Sequence, residues 1–142
     1  MAVVNTKRVL LGALLGSIVW FVWSGIINFS VLAPRYAAGQ EAGLFLKEPR
    51  YPFFVGQWFV LLFLLSWIGA CIYSGVRATY GPGPKTALKV GVMLGFAAGF
   101  PISFSIATWS PMDRVFPLWW MLELWVGAVL STLVSAWIYR ES

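Results

Sequence analysis

One acidic residue, Glu123, lies within an apolar run of the sequence, in the stretch FPLWWMLELWVG that covers residues 116–127. Three tryptophans and a series of aliphatic residues surround it. An ionisable group inside a membrane span is costly to bury, so its presence predicts a role in binding a proton or a cation. The alternative is structural, with a protonated or hydrogen-bonded Glu123 linking neighbouring helices. We favour the structural alternative, because protonation removes most of the cost of burying the charge.

Other polar residues fall at a similar depth when the apolar segments of the chain are laid antiparallel to one another. Cationic side chains of the adjoining loops, Arg35 or Arg114, would reach this layer from above. The opposite half of the segments holds no comparable set of acids or amides, which argues against a pump or channel contained in one chain. We therefore predict a candidate intramembrane polar site made of Glu123, Asn28, Gln57, Ser103 and Ser105, with Ser24 and Thr108 close by.

The elements that must position this site are four long apolar blocks. Hydrophobic residues make up 60% of the 142 residues and charged residues only 11%, against about 25% charged in an average soluble domain. A helix needs about 20 apolar residues to cross the hydrocarbon core, and a chain in lipid must satisfy its backbone hydrogen bonds within the segment. We predict a single all-α membrane domain over residues 1–142, a bundle of four transmembrane helices at about 9–33, 53–74, 87–108 and 116–139.

Three connections join these predicted helices. The longest covers residues 34–52, and its central GLFLKEP is apolar enough to lie on the membrane surface or to bind another protein, with a plain linker as the alternative. The GPGP at 81–84 predicts a stiff turn, because proline fixes its own φ and glycine permits unusual conformations. The third connection, WSPMDRVFP, is short and should hold the last two helices together.

Positive charge is distributed unevenly between the two ends of the predicted helices. Six of the ten Lys and Arg residues fall on the side of the termini and four on the other, which predicts that both termini are cytoplasmic, in a bacterial inner membrane. The net charge of +5 forms no basic stripe, so no nucleic-acid partner is predicted. The six are Lys7, Arg8, Arg77, Lys85, Lys89 and Arg140, and the four are Arg35, Lys47, Arg50 and Arg114.

The residues that usually carry enzymatic or metal chemistry are scarce. The sequence has no histidine and a single cysteine, Cys71. This excludes histidine-ligated haem, zinc or copper and any imidazole acid–base step within the chain, and it excludes an internal disulfide. No nucleophile–base pair or phosphate-binding loop is recognisable. We therefore expect no metal, no covalent cofactor and no catalytic residue.

Small residues recur at four-residue spacing in every predicted helix. Such residues let two helix backbones approach closely, which matters in a membrane because lipid is as apolar as leucine. The sequence does not decide whether the helix faces that carry these small residues contact each other within the bundle or contact another chain. The predicted helix-packing positions are Gly12, Gly16, Gly91, Gly95, Gly99, Gly127 and Ser131.

Four of the nine tryptophans fall too deep in the predicted helices to belong to the interfacial aromatic belts. The favoured interpretation is that they fill the core, with each indole N–H bonded to a serine or carbonyl. The alternative is a flat aromatic surface for lipid, quinone, carotenoid or chlorophyll, or for a neighbouring subunit. The four are Trp20, Trp23, Trp67 and Trp125.

Two stretches of the chain resemble those of small uncharacterised bacterial four-helix membrane proteins. The opening KRVLLGALLGSIVWFVWSGIINFSVLAP shares with them a basic start, a Gly-xxx-Gly stretch, a tryptophan and a Leu–Pro-like exit, and the ending GAVLSTLVSAWIYRE is similar to theirs. Together they cover about a third of the chain. The resemblance implies the four-helix architecture and assigns no activity.

These observations predict a non-catalytic accessory or structural subunit of a larger membrane complex, respiratory or photosynthetic, that packs against other integral membrane subunits and lipid or pigment. The alternative is a small homo-oligomeric proton-coupled transporter or channel that uses Glu123. An enzyme acting on lipid ranks last, because only Glu123 with Asp113 or Glu48 would supply an acid–base pair.

Overall fold

The computed structural model describes residues 4–139, so Arg140 and the outermost residues of the predicted domain lie outside the described part. Within this range, four helical stretches are long and apolar enough to cross a membrane. This confirms the all-α fold class with four apolar helices. The elements are α1 (Thr6–Ile26), a π-helical segment (Ile27–Leu32), α2 (Ala33–Glu41), α3 (Phe54–Tyr80), α4 (Pro84–Trp109) and α5 (Val115–Ile138).

The starts of the helices follow from local sequence signals. The Asn5 side chain accepts a hydrogen bond from the backbone N–H of Arg8 and thereby caps α1. Pro84 begins α4, where its missing N–H needs no partner. In the turn before it, Gly81 and Gly83 have φ values of 84° and 116°, which favour glycine over residues with a Cβ. The predicted turn at 81–84 therefore matches its glycine and proline chemistry.

The first helix is longer than the sequence predicted. It was expected to end at residue 33 and to be followed by a loop, but the helical path continues through the π segment and α2 to Glu41. Pro34 is tolerated because it lies in the first turn of α2, where a helix does not require its N–H. Only residues 42–53 form the connection to α3, and they fold back so that the Phe45 ring contacts Gly39.

All the predicted glycine positions face the interior of the bundle. A Cβ added at Gly91 would lie 2.7 Å from the Val129 Cα, and one at Gly12 would lie 3.1 Å from the Ser135 Cα. Backbone contacts this close leave no room for a side chain. The question left open by the sequence is thus answered, because α5 is the shared partner of α1 and α4. The remaining positions contact α5 or, for Gly127, α1: Gly16 meets Ser131, Gly95 meets Trp125, Gly99 meets Met121, and Gly127 meets Trp20.

The bundle has two unlike ends. The capped end carries α2, residues 42–53 and the turn at 110–114, and the terminal end carries residues 4–5, the turn at 81–83 and residue 139. Helix α4 packs mainly on α5, and α3 packs mainly on α1, whereas α3 and α4 contact each other much less. The weak pairing of α3 with α4 leaves room between them near the capped end.

Candidate functional site

Glu123 is the buried acid of α5 and lies against α1. Its side chain is only 3% exposed. The Trp20 indole, from α1, donates a hydrogen bond to the Glu123 backbone carbonyl at 3.2 Å and lies over Gly127 one turn further along α5. The close approach of α1 to α5 that the glycine allows therefore fixes the position of Glu123 in the bundle.

Both carboxylate oxygens of Glu123 accept hydrogen bonds from α1 and the π segment. The Ser24 hydroxyl donates to Oε1. The Asn28 side-chain amide donates to Oε2 at 3.1 Å and also to the Ser24 carbonyl at 2.9 Å. Ser24 and Asn28 are four residues apart, so they lie on one face of the helical path and reach the same acid.

Two tryptophans at the periphery determine the direction of these hydrogen bonds. An indole N–H only donates. The Trp120 indole donates to the Tyr36 hydroxyl at 2.8 Å, and that hydroxyl in turn donates to the Asn28 Oδ1 at 2.9 Å, which turns the Asn28 NH2 towards Glu123. On the other side, the Trp58 indole donates to the Ser24 Oγ at 3.0 Å. In each of these two hydrogen-bond relays, Trp120–Tyr36–Asn28 and Trp58–Ser24, the last residue donates to the Glu123 carboxylate.

The π segment brings Tyr36 into the relay. In an uninterrupted α-helix, side chains eight residues apart differ by about 80° around the axis. A π-helical turn holds more residues than an α-helical turn, so it rotates the helix that follows relative to the one before. Tyr36, in α2, is eight residues after Asn28, in the π segment. With this rotation the Tyr36 hydroxyl lies within hydrogen-bonding distance of the Asn28 Oδ1.

A cavity of about 440 Å³ lies beside Glu123. Ser24, Asn28 and Glu123 supply its polar side. The rest of the lining is aromatic and aliphatic, and several of these residues are exposed on the outside of the bundle, with Phe29 82% exposed. Exposed side chains of the π segment, of the first turns of α3 and of the last turns of α4 therefore form the rim of the cavity, on the side of the bundle. The apolar lining consists of Phe21, Gly25, Phe29, Phe54, Val55, Trp58, Ile102, Ile106, Trp120 and Leu124, with Tyr36 and Ser103 as further polar members.

The cations expected above the site do not reach it. Arg35 forms an exposed ion pair with Asp113, with 3.2 Å between Nη1 and Oδ2, and Arg114 is exposed. Across residues 4–139, no Lys or Arg nitrogen lies within 4.0 Å of the Glu123 carboxylate. The prediction that Arg35 or Arg114 enters the polar layer is therefore wrong, because Arg35 has a nearer acid at the surface.

The structure brings together only part of the predicted polar site. Asn28 and Ser103 line the cavity with Glu123, whereas Gln57 and Ser105 are exposed and lie outside it. Helical phase is the reason. Ser105 is two residues from Ser103 and so points to the opposite face of α4, and Gln57 is one residue from Trp58, about 100° away around α3. The inclusion of Gln57 and Ser105 in the site was wrong.

Three residues that line the cavity, Tyr36, Trp58 and Trp120, were not predicted from the sequence. A usable signal does exist. Each helix carries a stripe of small residues at four-residue spacing, and extending the stripe of α3 from Ser66 in steps of four reaches Leu62 and then Trp58. The same rule applied to α4 leads from Gly99 to Ser103 and passes over Ser105.

The four deep tryptophans have different environments. Trp20 is fully buried, with 0% exposure, and its indole bonds to a carbonyl. The favoured interpretation, core filling, therefore holds for Trp20, which packs with Leu62 and Ala128, and the alternative of lipid or pigment contact does not. Trp23 and Trp125 are half-buried, and Trp67 is 40% exposed on the outside of α3.

The site is suited to binding a polar group within apolar surroundings. Within residues 4–139, no three His, Cys, Asp or Glu side chains come together to hold a metal ion. Comparison of the chain with protein-family models, curated proteins and solved structures finds no significant match. The resemblance to bacterial four-helix membrane proteins therefore stays a prediction, and the functional argument depends on the site.

Proposed function

We propose that the chain is a non-catalytic, multi-pass integral membrane protein that binds a lipid-soluble ligand in the cavity beside Glu123. The observation that carries this proposal is the cavity of about 440 Å³, with polar groups on one side, apolar walls and a sideways opening. Ligand sites in proteins combine a mostly apolar lining with a few fixed polar groups in this way. An intramembrane acid beside such a cavity is a functional site by default.

The proposed orientation places both termini in the cytoplasm of a bacterial cell, with the protein in the inner membrane. Lysines and arginines of the terminal end support it, since cytoplasmic loops are enriched in these residues. The cavity then lies in the half of the bilayer remote from the cytoplasm. The supporting residues among those described are Lys7, Arg8, Arg77, Lys85 and Lys89.

The opening determines how a ligand would reach the site. Phe54 and Val55 of α3 and Ile102 of α4 line the cavity and are also exposed on the outer surface of the bundle. In a bilayer this surface faces lipid chains, so the ligand would enter by lateral diffusion and not from the aqueous phase. An apolar body with one polar group fits both the entrance and the site.

Gly25 offers a direct test. It lines the cavity, and the nearest atom to a Cβ added there is the Phe29 Cδ2 at 3.9 Å, so a Cβ fits and the leucine of Gly25→Leu should occupy part of the cavity. We expect the variant to lose at least nine-tenths of a small molecule that co-purifies with the wild type, by roughly the tenfold ratio that 1.4 kcal/mol of binding represents. Mass spectrometry after gentle detergent extraction measures this loss.

Gly75→Leu is the matched control, because Gly75 is also a helical glycine with open space around it, on α3 and away from the cavity. Equal recovery of every co-purifying small molecule from wild type, Gly25→Leu and Gly75→Leu would contradict the binding proposal.

The accessory-subunit interpretation is compatible with this site and is a proposal about its setting. Since the glycine stripes are occupied within the bundle, a neighbouring subunit would contact the outer face of α4. There, the rings of Phe96, Phe100 and Phe104 are stacked, with centroids 5.0 and 5.8 Å apart. The same extraction would recover such a subunit in fixed stoichiometry.

The proton-coupled transporter is the second candidate, favoured by the accessibility of Glu123 from the cavity. In that mechanism the carboxylate would hold a proton and a substrate in alternation, and the protein would function as a homo-oligomer. It differs from simple binding because it requires flux across a liposome membrane that disappears in Glu123→Gln.

A further inference from the structure

We infer that the ligand of the Glu123 cavity is a lipid-soluble cation, an apolar or aromatic body that carries one positive charge. This inference rests on the proposed binding function and adds the chemical class of the ligand. It depends on three features of the site: the direction of its hydrogen bonds, the absence of a protein cation, and the aromatic lining.

The hydrogen bonds of the site all serve a negative charge at Glu123. An ionised carboxylate accepts hydrogen bonds and donates none. Both of its oxygens receive donors, from Ser24 and Asn28. These donors are oriented by Trp58 and, through Tyr36, by Trp120, so the arrangement persists without any contribution from a ligand.

The charge that these donors support has no counter-charge in the described part of the protein. The ion pair nearest in the fold, Arg35–Asp113, is at the surface of the capped end. A buried carboxylate without a cation is costly in a low-dielectric environment, where opposite charges attract most strongly. Protonation or a cationic ligand removes this imbalance, whereas a neutral alcohol that donates a hydrogen bond does not.

Apart from the Ser103 hydroxyl, which also lines the cavity, the donors around Glu123 are already bonded within the protein, and this disfavours acceptor ligands. A quinone or ester carbonyl needs a donor directed into the cavity. The indole N–H groups of Trp58 and Trp120 are bonded to Ser24 and Tyr36 instead, and the Tyr36 hydroxyl donates to Asn28. An anionic ligand would in addition be repelled by the carboxylate.

Aromatic rings supply the remaining recognition of a cation. Five aromatic residues from α1, α2, α3 and α5 line the cavity next to Glu123: Phe21, Tyr36, Phe54, Trp58 and Trp120. Ring faces carry partial negative charge and attract cations, most strongly when water is excluded. An acid with an aromatic enclosure therefore selects positive charge and rejects water-soluble ions, which cannot cross the apolar entrance.

Two ions of similar size and opposite charge test the inference. Binding of tetraphenylphosphonium and tetraphenylborate to the purified chain is measured by equilibrium dialysis in detergent, with protein-free micelles subtracted. We expect the wild type to bind the phosphonium at least tenfold more tightly than the borate. Glu123→Gln should weaken phosphonium binding at least tenfold, and it should not weaken borate binding, because it removes the charge that repels an anion.

Glu48→Gln is the matched control, since Glu48 is an exposed acid of the connection 42–53, and it should behave as the wild type. Equal affinity for the two ions, no binding of either, or no effect of Glu123→Gln would overturn the cation inference. If Glu123→Gln does not fold, the charge preference of the wild type decides alone. The amount of small molecule that co-purifies with Gly25→Leu tests the cavity separately. The binding proposal and the cation inference can therefore fail independently.

Discussion

The two halves of the bundle, divided at Glu123, both contain buried serine hydroxyls, but one half is closely packed and the other encloses a cavity. In the packed half, from Glu123 to the terminal end, hydroxyls pair across helices: Ser131 donates to Ser66 at 2.7 Å, and Ser135 donates to the Gly12 carbonyl at 3.0 Å. In the open half, from Glu123 to the capped end, the hydroxyl of Ser24 is bonded to an acid that borders a cavity.

The size of the neighbouring side chains explains the difference. In the packed half, glycine faces serine, a backbone or, at Gly127, the Trp20 indole, so the helices approach until their atoms touch. In the open half, Trp58, Trp120 and Tyr36 keep α3, α5 and α2 apart, and their polar atoms bond inward to the site. Large aromatic residues that are committed to hydrogen bonds cannot collapse into the space beside them. A cavity in a bundle of apolar helices can therefore be maintained by polar contacts.

Leucine in place of glycine should give the largest contrast between the halves. In Gly91→Leu, the new Cβ meets the Val129 Cα at 2.7 Å and the Ala128 carbonyl oxygen at 3.1 Å, and neither backbone can move aside without separating α4 from α5. We expect a loss of about 3 kcal/mol or more in the free energy of unfolding. In the open half, Gly25→Leu should change it by no more than about 1 kcal/mol.

The measurement is denaturant unfolding in mixed detergent micelles, followed by circular dichroism, with Gly75→Leu as the reference for a leucine in open space. If Gly91→Leu were as stable as Gly75→Leu, the close contact of α4 and α5 in the packed half would be disproved.

Position along the helix axes could be predicted from hydropathy, whereas position around each helix could be predicted only where a stripe of small residues marks one face. The hydropathy of the blocks fixed four apolar helices, and depth alone placed Asn28 near Glu123. Depth did not distinguish Ser103, which lines the cavity, from Ser105, which faces outward. The angular position of a side chain depends on which neighbours its helix contacts, and the hydropathy of a nearly uniform apolar helix carries little of that information.

Tyr36 shows a second limit of the sequence. Tyr36 lies beyond residue 33, where the sequence predicts the end of the first helix. Its place in the site depends on the π segment. The helical path through the π-helical turn places Asn28 and Tyr36 so that both are hydrogen-bonded to residues of α5. The residue propensities of 27–32 do not predict this π-helical turn.

Tyr36→Phe should have an intermediate effect, confined to the open half. Loss of the hydroxyl leaves the Trp120 indole without its acceptor and frees Asn28 to turn its oxygen towards Glu123. We expect a loss of about 1.5 kcal/mol in stability. The affinity for tetraphenylphosphonium should fall by roughly fivefold, or about 1 kcal/mol. Unfolding and dialysis measure the two effects on the same preparation.

Tyr51→Phe controls for the loss of a tyrosine hydroxyl, because Tyr51 is exposed in the connection 42–53. Unchanged phosphonium affinity in Tyr36→Phe, with stability lowered, would show that the relay supports the fold and does not tune Glu123.

The smallest effect is expected in the packed half, at the Ser66–Ser131 hydrogen bond between α3 and α5. The two hydroxyls are buried and 2.7 Å apart, but interhelical hydrogen bonds in membranes contribute only about 0.6 kcal/mol on average. A double-mutant cycle of Ser66→Ala and Ser131→Ala should give a coupling energy of about this size, with phosphonium binding unaffected. A coupling energy above about 2 kcal/mol, or a change in phosphonium binding, would mean that the packed half also controls the site. A hydrogen bond outside the cavity can act on Glu123 only by shifting α5 as a whole.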